Sequence, residues 1–419
     1  MNIEIINTGN ELMLGRVLNT HQQWLCRQFA DAGYVVTRQV AVADTAVAIQ
    51  QAVREALTRA RLIVSTGGLG PTSDDLTRDA IAELVGRPLR EDPTIVAALE
   101  AWYAARQRTP SPAVMLQAQV PEGATVLPNA NGTAPGLLME VRAKEGGGAE
   151  SSWLIMLPGP PRELRPMFAA HVLPWVKATF PLAAPFVCRT LRSTGVPEST
   201  MQQQIAGPLA ALVARGLEIG YCARPGEVDV RLVARGPEAP ALVAEAEAIV
   251  RREVGRNLYG VEGESLEAAV VRELAGRRQS LAVAESCTGG RIANRVTDVP
   301  GASEVFWGGF ITYSNALKER LLGVRAETLA AHGAVSEATA REMAEGARAR
   351  TGADYALAAT GIAGPGGGTP DKPVGTVFIA LANAGGTRVV RMLNAFDRDT
   401  FKQVTSQQAL ELLRQRLLE

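Results

Sequence analysis

The chain has 419 residues, which exceeds one ordinary hydrophobic core and predicts two or three domains. Lysine and arginine together number 43, as do aspartate and glutamate, so no basic excess favours DNA, RNA or an anionic membrane surface. Hydrophobic residues make up 47% of the chain and aromatic residues only 5%, which is typical of a globular protein without a base-stacking platform for nucleic acid.

Targeting and metal-binding signals are weak. The N-terminal segment MNIEIINTGNELMLG lacks the pattern of a signal peptide, and no apolar run reaches the roughly 20 residues of a membrane helix. The four cysteines and three histidines lie far apart, without C-x-x-C or H-E-x-x-H. We therefore expect a cytoplasmic protein without membrane contact, in which any metal is a hard cation held by carboxylates.

The first part of the chain alternates strands with helices. Strands are predicted at NIEIINTG, YVVTRQVAV and RLIVSTGG, and each precedes a helical pattern such as LNTHQQWLCRQFADAG. This alternation predicts a parallel sheet covered by helices on both faces. Further strands are expected at ATVLPN, GLLMEVRA and SSWLIMLPG, with AKEGGGAE as a hairpin tip between the last two. The helix PPRELRPMFAAHVLPWVKATF completes a domain over residues 1–181.

Two further domains follow the segment FPLAAP. A small mixed α+β domain, here called the middle domain, is predicted over residues 182–260, with the hairpin LEIGYCARPGEVDVRLVARG and a bridge at NLYG. It lacks a G-x-x-G loop with flanking basic residues, so we expect a spacer or dimerisation unit without RNA binding. Residues 261–419 alternate again and end with the hairpin GTVFIALA/TRVVRMLNAF and a long helix.

The C-terminal domain carries a serine at a sharp turn. AVAESCTGGRIANR predicts a strand, a turn and a helix, which places Ser286 beside helix N-terminal amides that can bind an anion or stabilise an oxyanion. Gly289 and Gly290 allow a ligand to approach the backbone. The segment ITYSNALKERLLG places Tyr313 and Lys318 near the same sheet edge. A desolvated lysine can activate a serine, and a tyrosine can relay the proton.

Each of these residues also has a plainer interpretation. Ser286 would be a turn residue, Tyr313 a strand residue and Lys318 a solvated charge, and spacing alone favours this view because serine–lysine pairs are common. A second loop, ALAATGIAGPGGG, follows a strand that ends at Thr360 and suits phosphate or ribose binding, although a structural turn fits equally well. Cys287 is expected to be a small buried hydrophobe rather than a nucleophile.

The N-terminal domain has its own glycine-rich turn, STGGLGPTSDDLTRD, between a strand and a helix. Asp74 and Asp75 either cap that helix or hold a divalent cation that bridges phosphates. Glu11 follows the first strand, and the turns PNANGTAPG and PGPPREL follow later ones, so these segments should meet at the carboxyl edge of the sheet. The candidate substrate contacts here are Gly67, Gly68, Gly70, Thr72, Asn131 and Gly132.

These motifs, together and in order, resemble the CinA family of competence- and damage-inducible proteins. AESCTGG, GGFITYSNALKERLLGV and ATGIAGPGGG are similar to its C-terminal nicotinamide-mononucleotide deamidase domain, an α/β fold. The resemblance implies Ser286 as nucleophile, Tyr313 and Lys318 as its activating partners, and no cofactor in this domain. Arg398, whose guanidinium suits a phosphate, could instead be a surface charge at a helix start. The substrate contacts expected in this domain are Gly289, Gly290, Asn315, Thr360, Gly361, Gly364 and Arg398.

The rest of the chain extends the resemblance. TGNELMLG, TGGLGPTSDDLTRD, NGTAPG and LPGPPREL are similar to the family's molybdopterin-binding-type domain, a three-layer α/β fold, and the middle domain resembles its small KH-like domain. The resemblance implies ADP-ribose pyrophosphatase activity with Mg²⁺, Mn²⁺ or Co²⁺ near Glu11, Asp74 and Asp75. The family often has NPxGTAPG, whereas this chain has Asn129-Ala130-Asn131-Gly132, without the proline.

The family resemblance thus implies a cytoplasmic homodimer that hydrolyses nicotinamide mononucleotide to nicotinate mononucleotide and ammonia. Its second substrate would be ADP-ribose, and both activities would serve pyridine-nucleotide salvage. One alternative is a regulatory protein linked to competence or DNA damage, with degenerate nucleotide pockets. Another is a pterin-cofactor binding protein, since the fold of the first domain also serves that function.

Overall fold

The computed structural model describes residues 1–146 and 151–419, and its contacts divide the chain into two compact units, Met1–Phe186 and Val187–Glu419. None of the helices in those ranges is long and apolar enough to cross a bilayer. The tip of the predicted AKEGGGAE hairpin, residues 147–150, lies outside the described residues.

The first unit contains eight described strands. They are β1 (Ile3–Thr8), β2 (Val36–Val42), β3 (Leu62–Thr66), β4 (Leu89–Glu91), β5 (Gln119–Pro121), β6 (Thr125–Leu127), β7 (Gly136–Val141) and β8 (Ser152–Leu157). Its helices are α1 (Asn10–Met13), α2 (Thr20–Asp31), α3 (Ala46–Leu57), α4 (Thr77–Leu84), α5 (Pro93–Ala104), α6 (Pro112–Met115), α7 (Ala143–Gly146), α8 (Pro161–Met167) and α9 (Leu173–Thr179).

The main sheet of this unit has the order β2-β1-β3-β8-β7-β6. Strands β2, β1, β3 and β8 are parallel, whereas β7 is antiparallel to both β8 and β6. The sheet is therefore mixed, and its antiparallel pair β7–β8 agrees with the hairpin predicted at AKEGGGAE. The reason is that β6, β7 and β8 follow one another through short connections, which join antiparallel neighbours, whereas parallel strands need a long crossover.

Helices cover both faces of this sheet, as predicted. Along β1, Ile6 packs with α3 and α4 on one face, while Ile3 and Ile5 pack with α2 on the other. The predicted C-terminal helix is confirmed as α8 and α9, joined by a π-helical turn at Phe168–Val172. The unit is thus a three-layer α/β domain.

The second unit begins with the elements of the middle domain and ends with the C-terminal domain. Its strands are β9 (Phe186–Thr194), β10 (Glu218–Arg224), β11 (Glu227–Arg235), β12 (Leu258–Val261), β13 (Leu281–Glu285), β14 (Phe306–Ile311), β15 (Tyr355–Gly361), β16 (Thr376–Asn383) and β17 (Gly386–Leu393). Its helices are α10 (Glu198–Ala214), α11 (Ala239–Val254), α12 (Leu266–Arg277), α13 (Arg291–Thr297), α14 (Asn315–Leu322), α15 (Ala326–His332), α16 (Glu337–Thr351) and α17 (Arg398–Leu417).

The middle domain is a sheet of order β10-β11-β9-β12 with α10 and α11 packed against it. The segment NLYG, expected to be only a bridge, forms most of strand β12, which pairs antiparallel with β9. The predicted small α+β fold is confirmed, with one more strand than the pattern indicated.

The C-terminal domain is built on a sheet of order β14-β13-β15-β16-β17. Its first three strands are parallel, and the last two form the predicted antiparallel hairpin. On β13, Leu281 and Val283 face α12, α13 and α17, while Ala282 and Ala284 face α16. Because β13 lies between two parallel neighbours, the carboxyl ends of β13, β14 and β15 meet at one edge.

Candidate functional site

Ser286 follows β13 directly and starts the turn that leads into α13. Its backbone N–H donates to the carbonyl of Ala359 at 3.0 Å, which ties the turn to β15. Gly289 and Gly290 have φ values of +61° and +95°, a region that glycine adopts without a steric penalty. The turn therefore has the tight geometry that the sequence indicated.

The buried carboxylate of Glu285 accepts hydrogen bonds from three backbone amides at the start of α13. They are those of Gly290, Ile292 and Ala293, at 2.8–3.1 Å. The expectation that these helix amides bind a substrate anion is wrong, because an internal carboxylate already occupies them. The backbone amides of Cys287 and Thr288, in the same turn, interact with the sulfur of Cys287. An acidic residue just before a glycine turn at a helix start is the signal that predicts this role for Glu285.

Lys318 lies opposite Ser286, on α14, and only 1% of the residue is exposed. Its Nζ lies 3.0 Å from Ser286 Oγ and donates to the carbonyls of Thr312 at 2.8 Å and Tyr313 at 3.4 Å. Within the described residues it forms no ion pair with a carboxylate. Burial lowers the pKa of Lys318, which favours the neutral amine.

Tyr313 is placed differently from the expectation of an activating partner. Its side chain is 64% exposed, and its hydroxyl accepts a hydrogen bond from Nη2 of Arg398 at 3.0 Å. The second guanidinium nitrogen of Arg398 donates to the carbonyl of Gly364 at 2.7 Å. The phenol thus contacts Arg398, while only the backbone carbonyl of Tyr313 lies near Lys318.

A cavity of about 270 Å³ joins these groups at the sheet edge. Of the residues chosen from sequence, its lining includes Ser286, Tyr313, Lys318, Thr360, Gly361, Gly364 and Arg398. Gly289 and Gly290 shape the turn outside that lining, and Asn315 is exposed at the start of α14. The remaining lining residues are Cys287, Ala334, Val335, Ile362, Ala363, Gly366 and Gly367.

Two residues that line the cavity, Thr360 and Cys287, have structural roles that need no part in catalysis. The hydroxyl of Thr360 donates to the carbonyl of Ala334 at 2.7 Å, so it fixes the segment that forms one wall. Burial raises the pKa of Cys287 to about 12, so its sulfur is a neutral thiol at physiological pH. The raised pKa of the thiol favours Ser286 over Cys287 as the nucleophile.

The N-terminal unit has a separate cavity of about 540 Å³ at the carboxyl edge of its sheet. Of the candidates chosen from sequence, Glu11, Gly67, Gly68, Gly70, Asp74 and Asp75 line it. Gly132 lines a neighbouring cavity, and Thr72 and Asn131 line neither. The glycine turn after β3 and Glu11, which follows β1, therefore line the same cavity. The NANGTAPG turn contributes Thr133 and Ala134 to this cavity, and not the predicted Asn131 and Gly132.

The aspartates of this turn do not cap α4. The N-cap position is Leu76, without a side-chain cap, and Asp75 accepts hydrogen bonds from the amide and hydroxyl of Thr72 inside the turn. Asp44, which the sequence did not single out, also lines the cavity. Burial and the neighbouring charges of Glu11 and Asp74 raise the pKa of Asp44.

The carboxylates of Glu11, Asp44 and Asp74 limit the kind of metal ion that the N-terminal cavity can hold. Across the described residues, no three Asp, Glu, His or Cys side chains lie close enough to form a metal site by themselves. The mutual charge of Glu11, Asp44 and Asp74 nonetheless fits a hard cation that takes its other ligands from substrate phosphates and water, as Mg²⁺ commonly does.

Glu163 and Asn129 stabilise the turn at residues 129–134, where the resemblance would place a proline. Asn129 Nδ2 donates to Glu163 at 2.7 Å and to the carbonyl of Ala134 at 2.8 Å, and its Oδ1 accepts from the amide of Asn131. These bonds hold the turn at three points. They supply the rigidity that the proline would otherwise give.

Comparison with known proteins matches most of the chain in three consecutive parts. The family model described as "Probable molybdopterin binding domain" matches residues 4–178, "Damage-inducible protein CinA KH domain" matches 188–260, and "CinA C-terminal domain" matches 263–417.

Relatives extend over the full length. A CinA-like protein from Akkermansia muciniphila is 45% identical, with 97% of this chain and 95% of the relative covered. A CinA-like protein from Myxococcus xanthus is 41% identical, with 100% and 99% covered. The crystal structure of the competence/damage inducible protein CihA from Agrobacterium tumefaciens is 41% identical and covers 37% of this chain and 94% of its own, with a TM-score of 0.35.

Proposed function

Because the chain belongs to the CinA family, with molybdopterin-binding-like, KH and C-terminal domains in that order, we propose that its C-terminal domain is a nicotinamide-mononucleotide amidase. The observation that carries the proposal is the buried amine of Lys318, 3.0 Å from Ser286 Oγ and without a carboxylate partner in the described residues. This pair supplies a nucleophile together with its base. The family resemblance supplies the substrate.

The proposed reaction uses each of these groups in turn. The neutral amine of Lys318 accepts the hydroxyl proton as Ser286 Oγ attacks the carboxamide carbon. Lys318 then returns the proton to the departing ammonia as the C–N bond breaks. Water then hydrolyses the ester on Ser286 by the reverse proton path, which releases nicotinate mononucleotide and restores the free hydroxyl.

The experiment is to incubate the purified chain with nicotinamide mononucleotide and to measure ammonia and nicotinate mononucleotide. Equal amounts of the two products are expected. A folded protein that binds the nucleotide without releasing ammonia would instead support a regulatory pocket.

Arg398 is proposed to hold the substrate phosphate, since its guanidinium lines the cavity. Arg398→Leu should raise KM for nicotinamide mononucleotide about 10- to 100-fold, the usual worth of a charge-assisted hydrogen bond, with a smaller change in kcat. Nicotinamide riboside, which lacks the phosphate, should be turned over equally by both proteins. Arg416→Leu, near the other end of α17, is the matched control. An equal KM effect on the riboside would contradict the phosphate contact.

For the N-terminal domain we propose a cation-dependent ADP-ribose pyrophosphatase. One or two of the carboxylates of Glu11, Asp44 and Asp74, together with the substrate phosphates, would hold the cation. When bound, the cation would offset phosphate charge, while the glycine turn at residues 67–70 offers backbone contacts. Both proposed substrates arise from NAD breakdown, so the two domains would serve pyridine-nucleotide salvage.

A chelator should abolish AMP release from ADP-ribose, and added Mg²⁺, Mn²⁺ or Co²⁺ should restore it. Asp44→Asn should lower AMP release about 10-fold or more by removing one anionic ligand, whereas Glu100→Gln on the exposed face of α5 should not. Chelator-resistant hydrolysis would remove the cation from this proposal. Tight pterin binding without AMP release would point to the pterin-cofactor alternative.

A further inference from the structure

Gln407 of α17 connects the middle domain to the amidase helices, and only 1% of the residue is exposed. Its Nε2 donates to Glu227 at 3.1 Å and to the hydroxyl of Thr194 at 3.3 Å, both in the middle domain. Its Oε1 accepts from Arg295 of α13 at 2.6 Å. One buried amide thus bonds three separate elements, β9 and β11 of the middle domain and α13 of the C-terminal domain.

A second contact fixes α17 further along its length. The guanidinium of Arg414, which is 3% exposed, donates to the carbonyls of Arg256 and Leu258 in the middle domain. Gln415 and Arg256 exchange two more hydrogen bonds, at 3.0 and 2.8 Å. Two anchor points along one helix limit its sliding as well as its tilting.

Both anchored helices are connected to the amidase cavity. Helix α17 starts with Arg398, which lines the cavity, and α13 follows the turn that carries Ser286. Arg295 ties the two helices together because it also donates to Ser406 of α17 at 3.0 Å. A small shift of either helix would therefore move a group that faces the substrate.

We propose that the middle domain acts as a brace for the amidase site, with Gln407 as the positioning residue that transmits its hold to α13 and α17. This inference rests on the amidase function proposed above. It gives the middle domain a role other than RNA binding or simple spacing.

The brace can be tested by exchanging the two side chains of one contact, Gln407 in the C-terminal domain and Glu227 in the middle domain. Glu227 accepts a hydrogen bond from Tyr259 and lies 3.3 Å from Arg224 and 3.6 Å from Arg192, so its side chain is already paired with two guanidinium groups. Gln407→Glu would place a second carboxylate against it, with repulsion in a buried site. Glu227→Gln in the same chain would restore one acceptor and one donor.

Gln407→Glu should raise KM for nicotinamide mononucleotide about 10-fold, the size of coupling expected for side chains in direct contact. Adding Glu227→Gln should bring KM back to within about twofold of the original protein. A residue that served only the packing of the C-terminal domain would gain nothing from a change in the middle domain. The matched control is Gln408→Glu, since Gln408 pairs with Asn394 inside the C-terminal domain, and its KM should stay unchanged.

Hydrogen–deuterium exchange of the same variants gives a readout that needs no catalysis. Gln407→Glu should speed amide exchange in the first turns of α13 and α17, and the double variant should reverse this. Unchanged exchange and KM in Gln407→Glu, or failure of Glu227→Gln to restore them, would overturn the brace. Absence of ammonia release from the original protein would overturn the amidase proposal instead, and the exchange data would still decide the brace.

Discussion

Ser286→Ala should lower ammonia release from nicotinamide mononucleotide by about 10³-fold or more, because removing a covalent nucleophile leaves only binding and oxyanion stabilisation. The substitution removes one hydroxyl that faces a cavity, so the free energy of unfolding should change little. Steady-state ammonia assays with a thermal unfolding curve measure both quantities.

Ser280→Ala is the matched control, since Ser280 precedes the same strand at its opposite end and bonds Asp354. It should keep its activity and lose some stability. If Ser286→Ala retained near-normal turnover, water rather than the serine would be the attacking group, and the acyl-enzyme would have to be abandoned.

Lys318→Met should lower ammonia release about 10²- to 10⁴-fold, the usual contribution of a positioned base. In the unchanged protein the rate should rise with pH and level off below pH 10.5, the ordinary pKa of lysine, because the base is the neutral amine and burial lowers its pKa. Lys177→Met, on α9 of the other unit, should leave the profile intact.

The burial of Lys318 also predicts that Lys318→Met, which lowers activity, should increase the stability of the fold. Between the lowered pKa of folded Lys318 and the ordinary value of 10.5, the unfolded chain binds more protons, so stability rises with pH across that window. Lys318→Met removes the cost of burying an ionisable amine, so it should raise the free energy of unfolding near neutral pH. This gain in stability should shrink as the pH approaches 10.5. A Tm that falls equally at every pH would show instead that the lost bonds to the Thr312 and Tyr313 carbonyls dominate.

Much of the architecture follows from periodicity and chain order. Alternating strands and helices were enough to predict the α/β class of both large domains, and FPLAAP precedes Val187, where the second compact unit begins. The hairpin predicted at AKEGGGAE anticipated the antiparallel pairing of β7 with β8, but the pairing of β6 with β7 was not predicted, because a buried strand has the same apolar run in either direction. Strand β12 was missed because four residues carry too little periodicity.

The site was predictable where it depends on strand ends and less so where it depends on side-chain direction. Parallel strands bring Ser286 and Lys318 to one edge whatever the detail of their rotamers. The hydroxyl of Tyr313 turns to Arg398, a residue 85 positions away, and no local pattern encodes that contact. Asp44 escaped notice because a single aspartate before a helix ordinarily suggests a cap.

The carboxylate of Glu285 also bears on where the phosphate of the proposed substrate would bind. Since it occupies the amides at the start of α13, the positive end of that helix is neutralised from inside and offers nothing to a phosphate. A mononucleotide would then enter with its pyridine ring towards the Ser286 turn and its sugar and phosphate trailing towards Arg398. In the proposed amidase, any group attached beyond that phosphate would extend away from the reacting carbon, so the pocket would select for the pyridine ring and for one anionic group at the far end.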